Sequence, residues 1–583
     1  MPITVRQPTA ESQRSVRQGD ENVKKTPRLR FGRTARLLSL TLIAALFLAG
    51  ASSSAAAPPL PQDAAFETIS LPAEALTLPA DFVIQARELR HPGLDSAMAD
   101  LAAAARLSLK DALALAQSQS LRLSEGRVHV QIVTNPAGLE NAIQAVMAAG
   151  GEVTVVGDDG ALIQGWLPIE SLETVAAHQD IYRIRRPAEA ITLEDVYAGN
   201  STTEGLAVIN GPAWHAAGYR GDGVKVGVID AGFQGYPGLL GTDLPISVTV
   251  KNFVDGETDA QVNGTTKHGT ACAEVVHDIA PRARLYLVKV GTNLDLQQAV
   301  NWLKNTHHVD VISTSLGWYN LTPGDGTGEF ANLVQTARNA GILWATAASN
   351  DREAHWGGAY ADPDGNDFHN FNGQQEINYF GPGDGKAYVI PAGYLFRVFL
   401  RWNDWTNVNQ DYDLWLVRWN GSSWDTVARG DDIQDGGAGQ KPTDYASFGS
   451  APYGFVIYRY DSNKAVNFEV FAPKIARLDE ILTARSLSNL ADAPAAMTVA
   501  ALDVTAPYPQ ESYSSEGPTN GPGGAATGGF KKPDIAAFAN VSTESYGTTN
   551  KFNGTSAATP HVAGAAALVL SARPYYTPAQ LQT

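Results

Sequence analysis

A single cysteine, Cys272, stands in 583 residues, so no intramolecular disulfide can form. Stability has to come from buried apolar surface and, where present, bound ions. Positive charge is scarce too. Lys and Arg number 43 against 60 Asp and Glu, a formal net charge of −17, which argues against nucleic acid as a partner. The N-terminal apolar run, residues 37–49, has 13 residues, short of the roughly 20 that a membrane-spanning helix needs. No adjacent arginine pair precedes it, and no cysteine follows it, which excludes a lipid anchor there.

The rest of the composition is globular, 44% apolar and 18% charged, and the length exceeds what one core supports, so two to four domains are expected. Residues 1–57 follow the grammar of a secretory signal peptide: a long basic stretch, the apolar run, then small residues with cleavage expected between 51 and 57. An N-terminal membrane anchor is the alternative. Residues 58–125 are rich in Ala and Leu and predict a tail with one or two helices. Residues 126–187 predict β-α-β-β-α-β, a ferredoxin-like order, with a Gly/Asp turn at 157–160 closing a hairpin. A linker follows over 188–204.

From 205 to 351 near-continuous apolar strands alternate with helices, for example over 294–307 and 330–340. That pattern predicts a doubly wound parallel sheet covered on both faces, with function where strands end. The pattern breaks over 352–490, which holds six of the eleven tryptophans (Trp356, Trp402, Trp405, Trp415, Trp419, Trp424) in alternating segments. An inserted antiparallel β-sandwich of jelly-roll type is expected there. The α/β pattern resumes over 491–583. The chain stops just after Thr577-Pro578-Ala579-Gln580, which reads as a helix cut short and suggests a truncated fragment.

The decisive stretch is residues 553–564, Asn-Gly-Thr-Ser-Ala-Ala-Thr-Pro-His-Val-Ala-Gly. Gly554 gives backbone freedom ahead of Ser556, and Pro560 is expected near a helix start. Ser556 then sits in the first turn, where orphan N–H groups and the helix dipole favour a developing oxyanion. A serine hydroxyl needs a base, and an imidazole needs a carboxylate to fix its tautomer. His268 opens a small-residue helix, and Asp230 ends a strand. Singly, each has an ordinary structural explanation: a helix-initial serine, a core histidine, a loop-capping aspartate. All three at strand and helix ends of one sheet favour a nucleophilic site.

These residues resemble the subtilases, the subtilisin-like serine proteases, whose triad also runs Asp, His, Ser along the chain. Val226-Gly227-Val228-Ile229-Asp230-Ala231-Gly232 is similar to the family's aspartate motif, and His268-Gly269-Thr270 with Ala273 and Glu274 to its histidine motif. Residues 554–564 resemble the serine motif, with Ala557 in place of the usual Met, and 514–518 and 532–535 resemble the stretches upstream of it. The resemblance implies catalytic Asp230, His268 and Ser556, an oxyanion-hole amide at Asn350, and a substrate-pairing edge at Ser315, Leu316 and Gly317. Ser349 departs from the glycine usual before that Asn, and Trp318 stands where a small residue is common. Cys272, one helical turn after His268, resembles the free cysteine of proteinase-K-like members, and a small buried hydrophobe is the reading favoured for it.

The same resemblance makes 58–125 a pro-segment and 126–187 a propeptide that inhibits its own peptidase until self-cleavage, expected between 186 and 203. It implies a secreted endopeptidase acting on polypeptides, with no cofactor for the chemistry. Structural calcium is common in the family but is not placed by this sequence. The acidic turn 362–367 offers hard oxygens yet lacks a distal Glu, so a solvated turn is favoured. The β-insert resembles bacterial pre-peptidase C-terminal-type jelly rolls, and its tryptophans suit either a core or contact with protein or carbohydrate surfaces. A catalytically idle surface- or carbohydrate-binding protein is the competing reading. The acid-active sedolisins are a second, opposed by the surroundings of His268.

Overall fold

Seven parallel strands form the central sheet. A computed structural model of the chain describes residues 67–583, apart from 73, 74, 76, 80, 81, 83–90, 193–201, 265, 384, 391–395 and 449–453. The signal-peptide stretch and half of the expected self-cleavage segment, residues 193–201, therefore lie outside the described residues. Among the described residues no helix is long and apolar enough to cross a membrane.

The N-terminal part opens with a short strand, β1 (Thr68–Ser70), and two helices, α1 (Ser96–Leu107) and α2 (Leu109–Ser118). Then come β2 (Arg127–Thr134), α3 (Leu139–Ala148), β3 (Glu152–Val156), β4 (Leu162–Pro168), α4 (Leu172–Ala176) and β5 (Ile181–Arg185). Their sheet is antiparallel in the order β5-β2-β4-β3. One face packs its apolar residues under the helices. The other offers buried amides to the next domain: Gln131 Nε2 donates to Asn293 Oδ1 at 2.8 Å, and Gln164 Nε2 to Asp295 Oδ1 at 3.2 Å. After β6 (Ile191–Thr192) the large sheet begins.

Its elements are β7 (Lys225–Asp230), β8 (Thr249–Asn252), α5 (His268–Ile279), β9 (Arg284–Lys289), α6 (Asn293–Trp302) and β10 (Val311–Thr314). A two-residue edge β11 (Leu316–Gly317), α7 (Glu329–Asn339) and β12 (Leu343–Ala347) follow. The helix expected over 294–307 is α6 continued by a π-helical turn, Leu303–His307. The chain then leaves the sheet and returns as β22 (Met497–Asp503), β23 (Ile535–Ala539) and α8 (Gly554–Ala572). Sheet order is β23-β22-β12-β10-β7-β9-β8, every pair parallel. Apolar side chains fill both faces, α5 and α8 covering one and α6 and α7 the other, which is why these strands read as continuous apolar runs.

Between β12 and β22 lie β13 (His355–Ala359), β14 (Asn378–Tyr379), β15 (Lys386–Tyr388), β16 (Phe396–Trp402) and β17 (Asp411–Trp419). They are joined by β18 (Trp424–Gly430), β19 (Thr443–Phe448), β20 (Gly454–Asp461) and β21 (Asn467–Phe471). Two antiparallel sheets, β13-β21-β16-β19 and β14-β20-β17-β18, close on an aromatic core that includes Trp402, Tyr412 and Phe468. Four of the six tryptophans, Trp356, Trp402, Trp415 and Trp424, are buried, and Trp405 and Trp419 are half-buried. The carboxylates of the acidic turn are taken by protein donors. Asp362 accepts from the N–H groups of Gly365 and Asn366 at 2.8 and 3.1 Å, and Asp367 pairs with Arg459. A guanidinium within the turn does not fit a cation site.

Candidate active site

Asp230 is the last residue of β7 and is fully buried, as is His268, the first residue of α5. Their atoms Oδ2 and Nδ1 are 2.7 Å apart. A carboxylate only accepts, so Nδ1 carries the proton and the neutral ring has its basic nitrogen at Nε2. The other carboxylate oxygen takes the Ala231 N–H at 2.8 Å. Gly269 makes this approach possible. A Cβ there would lie 2.6 Å from both Asp230 Cβ and Gly232 O, and 2.7 Å from the Phe233 ring. Any larger residue would push α5 off the end of β7. The ring of Phe552 meets His268 edge-on at 5.6 Å and covers it.

Ser556 lies in the first turn of α8. Gly554 has φ of +83°, the left-handed region that favours glycine, so the turn into the helix needs that residue. Pro560 is not in the first turn as expected but inside the helix. Its missing N–H withdraws the partner that Ser556 O would have four residues on. Two side chains replace it: Ser315 Oγ donates to Ser556 O at 3.1 Å, and Cys272 Sγ lies 3.8 Å from it. The same thiol is 4.0 Å from Asp230 Oδ2, so Cys272 sits between the Asp–His pair and the serine segment. Asp230, His268 and Cys272 are the one group of three ligating side chains among the described residues. Ser556 Oγ is 3.3 Å from the Ser315 carbonyl oxygen and donates to it.

Asn350 follows β12. Its Oδ1 accepts from both the N–H and the hydroxyl of Thr555, each at 2.9 Å, which directs the donor end of the amide away from Thr555. Ser349 before it has φ of +101°, a conformation that costs a non-glycine residue about 1–3 kcal/mol, and here the environment holds it. Ser349 Oγ donates to Asp351 Oδ2, and Tyr319 OH donates to the same oxygen at 2.6 Å and lies 3.0 Å from Ser349 Oγ. Burial pushes the Asp351 carboxyl up to about 6 and the Tyr319 phenol well above its usual range. The Tyr319 ring stacks on Phe399 of β16 at 5.0 Å, so the insert backs this corner of the site. Tyr319, Asp351 and Thr555 were not singled out by sequence. Their partners lie too far along the chain for spacing to reveal them.

The expected substrate edge is occupied. β11 pairs antiparallel with β6, Leu316 opposite Thr192 and Gly317 opposite Ile191. On the other side Ala190 N–H donates to Gly291 O at 2.8 Å, and Glu189 bridges Thr292. Residues 189–192 thus run as a middle strand in a cleft whose wall ends at Ser315, next to Ser556. Trp318 is buried and packs against Phe330, ring centroids 5.4 Å apart, while lining the cavity beside Ala188 and Glu189. His561 of the serine motif is structural: Nδ1 donates to Ala557 O at 2.8 Å, Nε2 meets Thr203 Oγ1 at 2.9 Å, and burial lowers its pKa to about 4.

The site thus combines a parallel sheet, an Asp–His pair at one strand end and a serine in a glycine-led helical turn. The model of the subtilase family matches residues 221–395 and 471–583. Subtilisin E of Bacillus subtilis is 32% identical over 184 residues, covering 28% of this chain and 45% of that protein. A thermostable alkaline protease of Halalkalibacterium halodurans is 35% identical over 159 residues, 25% of this chain and 41% of that one. The chain thus spans less than half the length of these relatives. The structure of the Clostridium perfringens CspB protease covers 64% of this chain and 89% of its own at 14% identity, TM-score 0.43, too low to carry an argument. Residues 221–395 and 471–583 of this chain are thus similar to the subtilase family.

Proposed function

We propose that the chain is the zymogen of a secreted subtilisin-like endopeptidase, with the N-terminal module as its own inhibitor and the inserted sandwich as a jelly-roll-type domain. The sheet order β5-β2-β4-β3 supports a ferredoxin-like propeptide. The observation that carries the reading is residues 189–192 lying as an extended strand on the edge beside Ser556. Backbone pairing of this kind reads main chain and so accepts many polypeptides.

In the reaction, Ser556 Oγ attacks the carbonyl carbon of the bound peptide while His268 Nε2 takes the hydroxyl proton. Asp230 keeps the imidazole in the required tautomer and stabilises the cation. The oxyanion takes hydrogen bonds from Asn350 Nδ2 and the Ser556 N–H, worth a few kcal/mol in the transition state. His268 then returns the proton to the leaving amine. The acyl-enzyme is hydrolysed by water, with His268 again as base.

The ladder also selects a bond. Its last described pair, Leu316 opposite Thr192, lies next to Ser315, whose carbonyl oxygen holds the Ser556 hydroxyl. Cleavage in the linker shortly after Thr192 is the prediction. Incubation of the purified chain followed by N-terminal sequencing should give a new terminus within a few residues of Thr192, and none in the Ser556→Ala chain. A stable, uncut wild-type chain with an unreactive Ser556 would favour the competing idle-binding reading.

A further inference from the structure

The inserted sandwich grips the N-terminal region at two places. The first is an added strand. β1 pairs antiparallel with β15, with Thr68 opposite Tyr388, Ile69 opposite Ala387 and Ser70 opposite Lys386. The ladder extends both ways, Val389 N–H donating to Glu67 O at 2.7 Å and Leu71 N–H to Gly385 O at 2.9 Å. Farther on, Tyr379 OH donates to Ala75 O, and Leu78 N–H donates to Glu376 Oε2 at 2.9 Å. Ala75 and Leu78 are buried in one apolar cluster with Tyr379, Trp415 and Trp424, and Phe82 meets the edge of Phe368 at 5.9 Å. Two of the tryptophans that suggested a binding surface are thus covered by the protein's own N-terminal segment.

The second grip is ionic and sits at the opposite end of the module. Arg183, buried on β5, pairs with Asp432 at 2.7 Å. The other oxygen of Asp432 takes the N–H and hydroxyl of Ser96, at the start of α1, at 2.7 and 2.8 Å. Arg186 lies over the Tyr445 ring, 4.1 Å from its centroid, and Arg397 pairs with Glu189. The module's polar contacts with the peptidase, through Gln131, Gln164 and His129, are separate from all of these.

We propose that the inserted sandwich is a retention site for the N-terminal region, whose β1–β15 and Arg183–Asp432 contacts lengthen its stay after the linker is cut. The inference rests on the zymogen reading for its biological sense, but not for its test. Each grip holds the other's partner nearby, and for short tethers the effective concentration is on the order of millimolar. Losing one grip then speeds departure by far more than its own few contacts suggest.

The test uses the full chain with Ser556→Ala and with residues 195–200 replaced by the recognition sequence of a site-specific protease. After cutting, the N-terminal piece should co-elute with the rest on size exclusion. Exchange against labelled piece gives the release half-time. Asp432→Asn, and separately deletion of residues 67–82, should each shorten that half-time at least about tenfold, and both together more. If deletion exposes the Trp415 and Trp424 surface and the chain aggregates, Asp432→Asn alone decides. Unchanged half-times in folded variants, or departure of the wild-type piece as soon as the linker is cut, overturn the proposal. Because an added protease makes the cut, an inert Ser556 would sink the peptidase reading and leave retention standing.

Discussion

Replacing Ser315 by Ala tests how the serine turn is held. Ser556 O has no helical N–H partner because Pro560 stands four residues on, and the Ser315 hydroxyl supplies the donor at 3.1 Å in a site where both residues are buried. Removing that hydroxyl strands a buried carbonyl with only a thiol 3.8 Å away, at a cost of about 1–3 kcal/mol. Pro560→Ala restores a backbone donor to the same oxygen. The Ser315→Ala and Pro560→Ala effects must therefore be coupled, not merely opposite. In the Ser556→Ala background, which keeps the carbonyl and prevents self-cutting, urea unfolding of the four chains of the cycle gives the interaction term. The expected value is about 1 kcal/mol or more, with Ser315→Ala costing less once Pro560 is gone. Additivity within roughly 0.5 kcal/mol would refute the claim that the proline created the demand the serine meets.

Gly269→Ala would drive a methyl into Asp230 and Gly232, so a stability loss of about 1–3 kcal/mol and a fall in kcat/KM of roughly a hundredfold are expected, read by thermal melts and peptide hydrolysis. Asn350→Ala should lower kcat about 10²- to 10³-fold with a much smaller change in KM, since its Nδ2 is placed to act on the oxyanion. Burial pushes Glu274 up to about 8 and Asp278 up to about 7, so the folded chain holds protons that the unfolded chain has lost. Stability from these groups is therefore present at low pH and lost as pH rises through 7 and 8, and melts of the Ser556→Ala chain should show a Tm falling from pH 6.5 to 8.5. Glu274→Gln should flatten that slope, and a rising Tm over the same window would contradict the assignment.

The Asp230–His268 contact and the turn before Ser556 were legible because both need particular residue types in tight turns. Gly554 is needed for a positive φ, and Gly269 for the contact with Asp230. The doubly wound sheet was legible from strands apolar on both faces. What stayed hidden depends on partners distant in sequence. Ser349 looked like a weak substitute for glycine, yet Tyr319 and Asp351 hold it in the glycine-like conformation. The acidic turn at 362–367 displayed its oxygens in sequence but not Arg459, which comes from β20 to claim them. Nothing in the periodicity of residues 67–82 reveals that they complete a sheet with residues 386–388. Pro560 was expected near a helix start but stands inside the helix, and its cost to Ser556 O, and the hydroxyl that meets it, appear only once Ser315 is seen beside it.

The central claim is that Ser556 is a nucleophile activated by His268. A fluorophosphonate probe on the processed chain, followed by peptide mapping, measures this directly. The account predicts one label, on Ser556, that is lost in His268→Ala and blocked by prior incubation with a peptide aldehyde. Absence of label on a processed, folded wild-type chain, or a label on Cys272 instead, would contradict it.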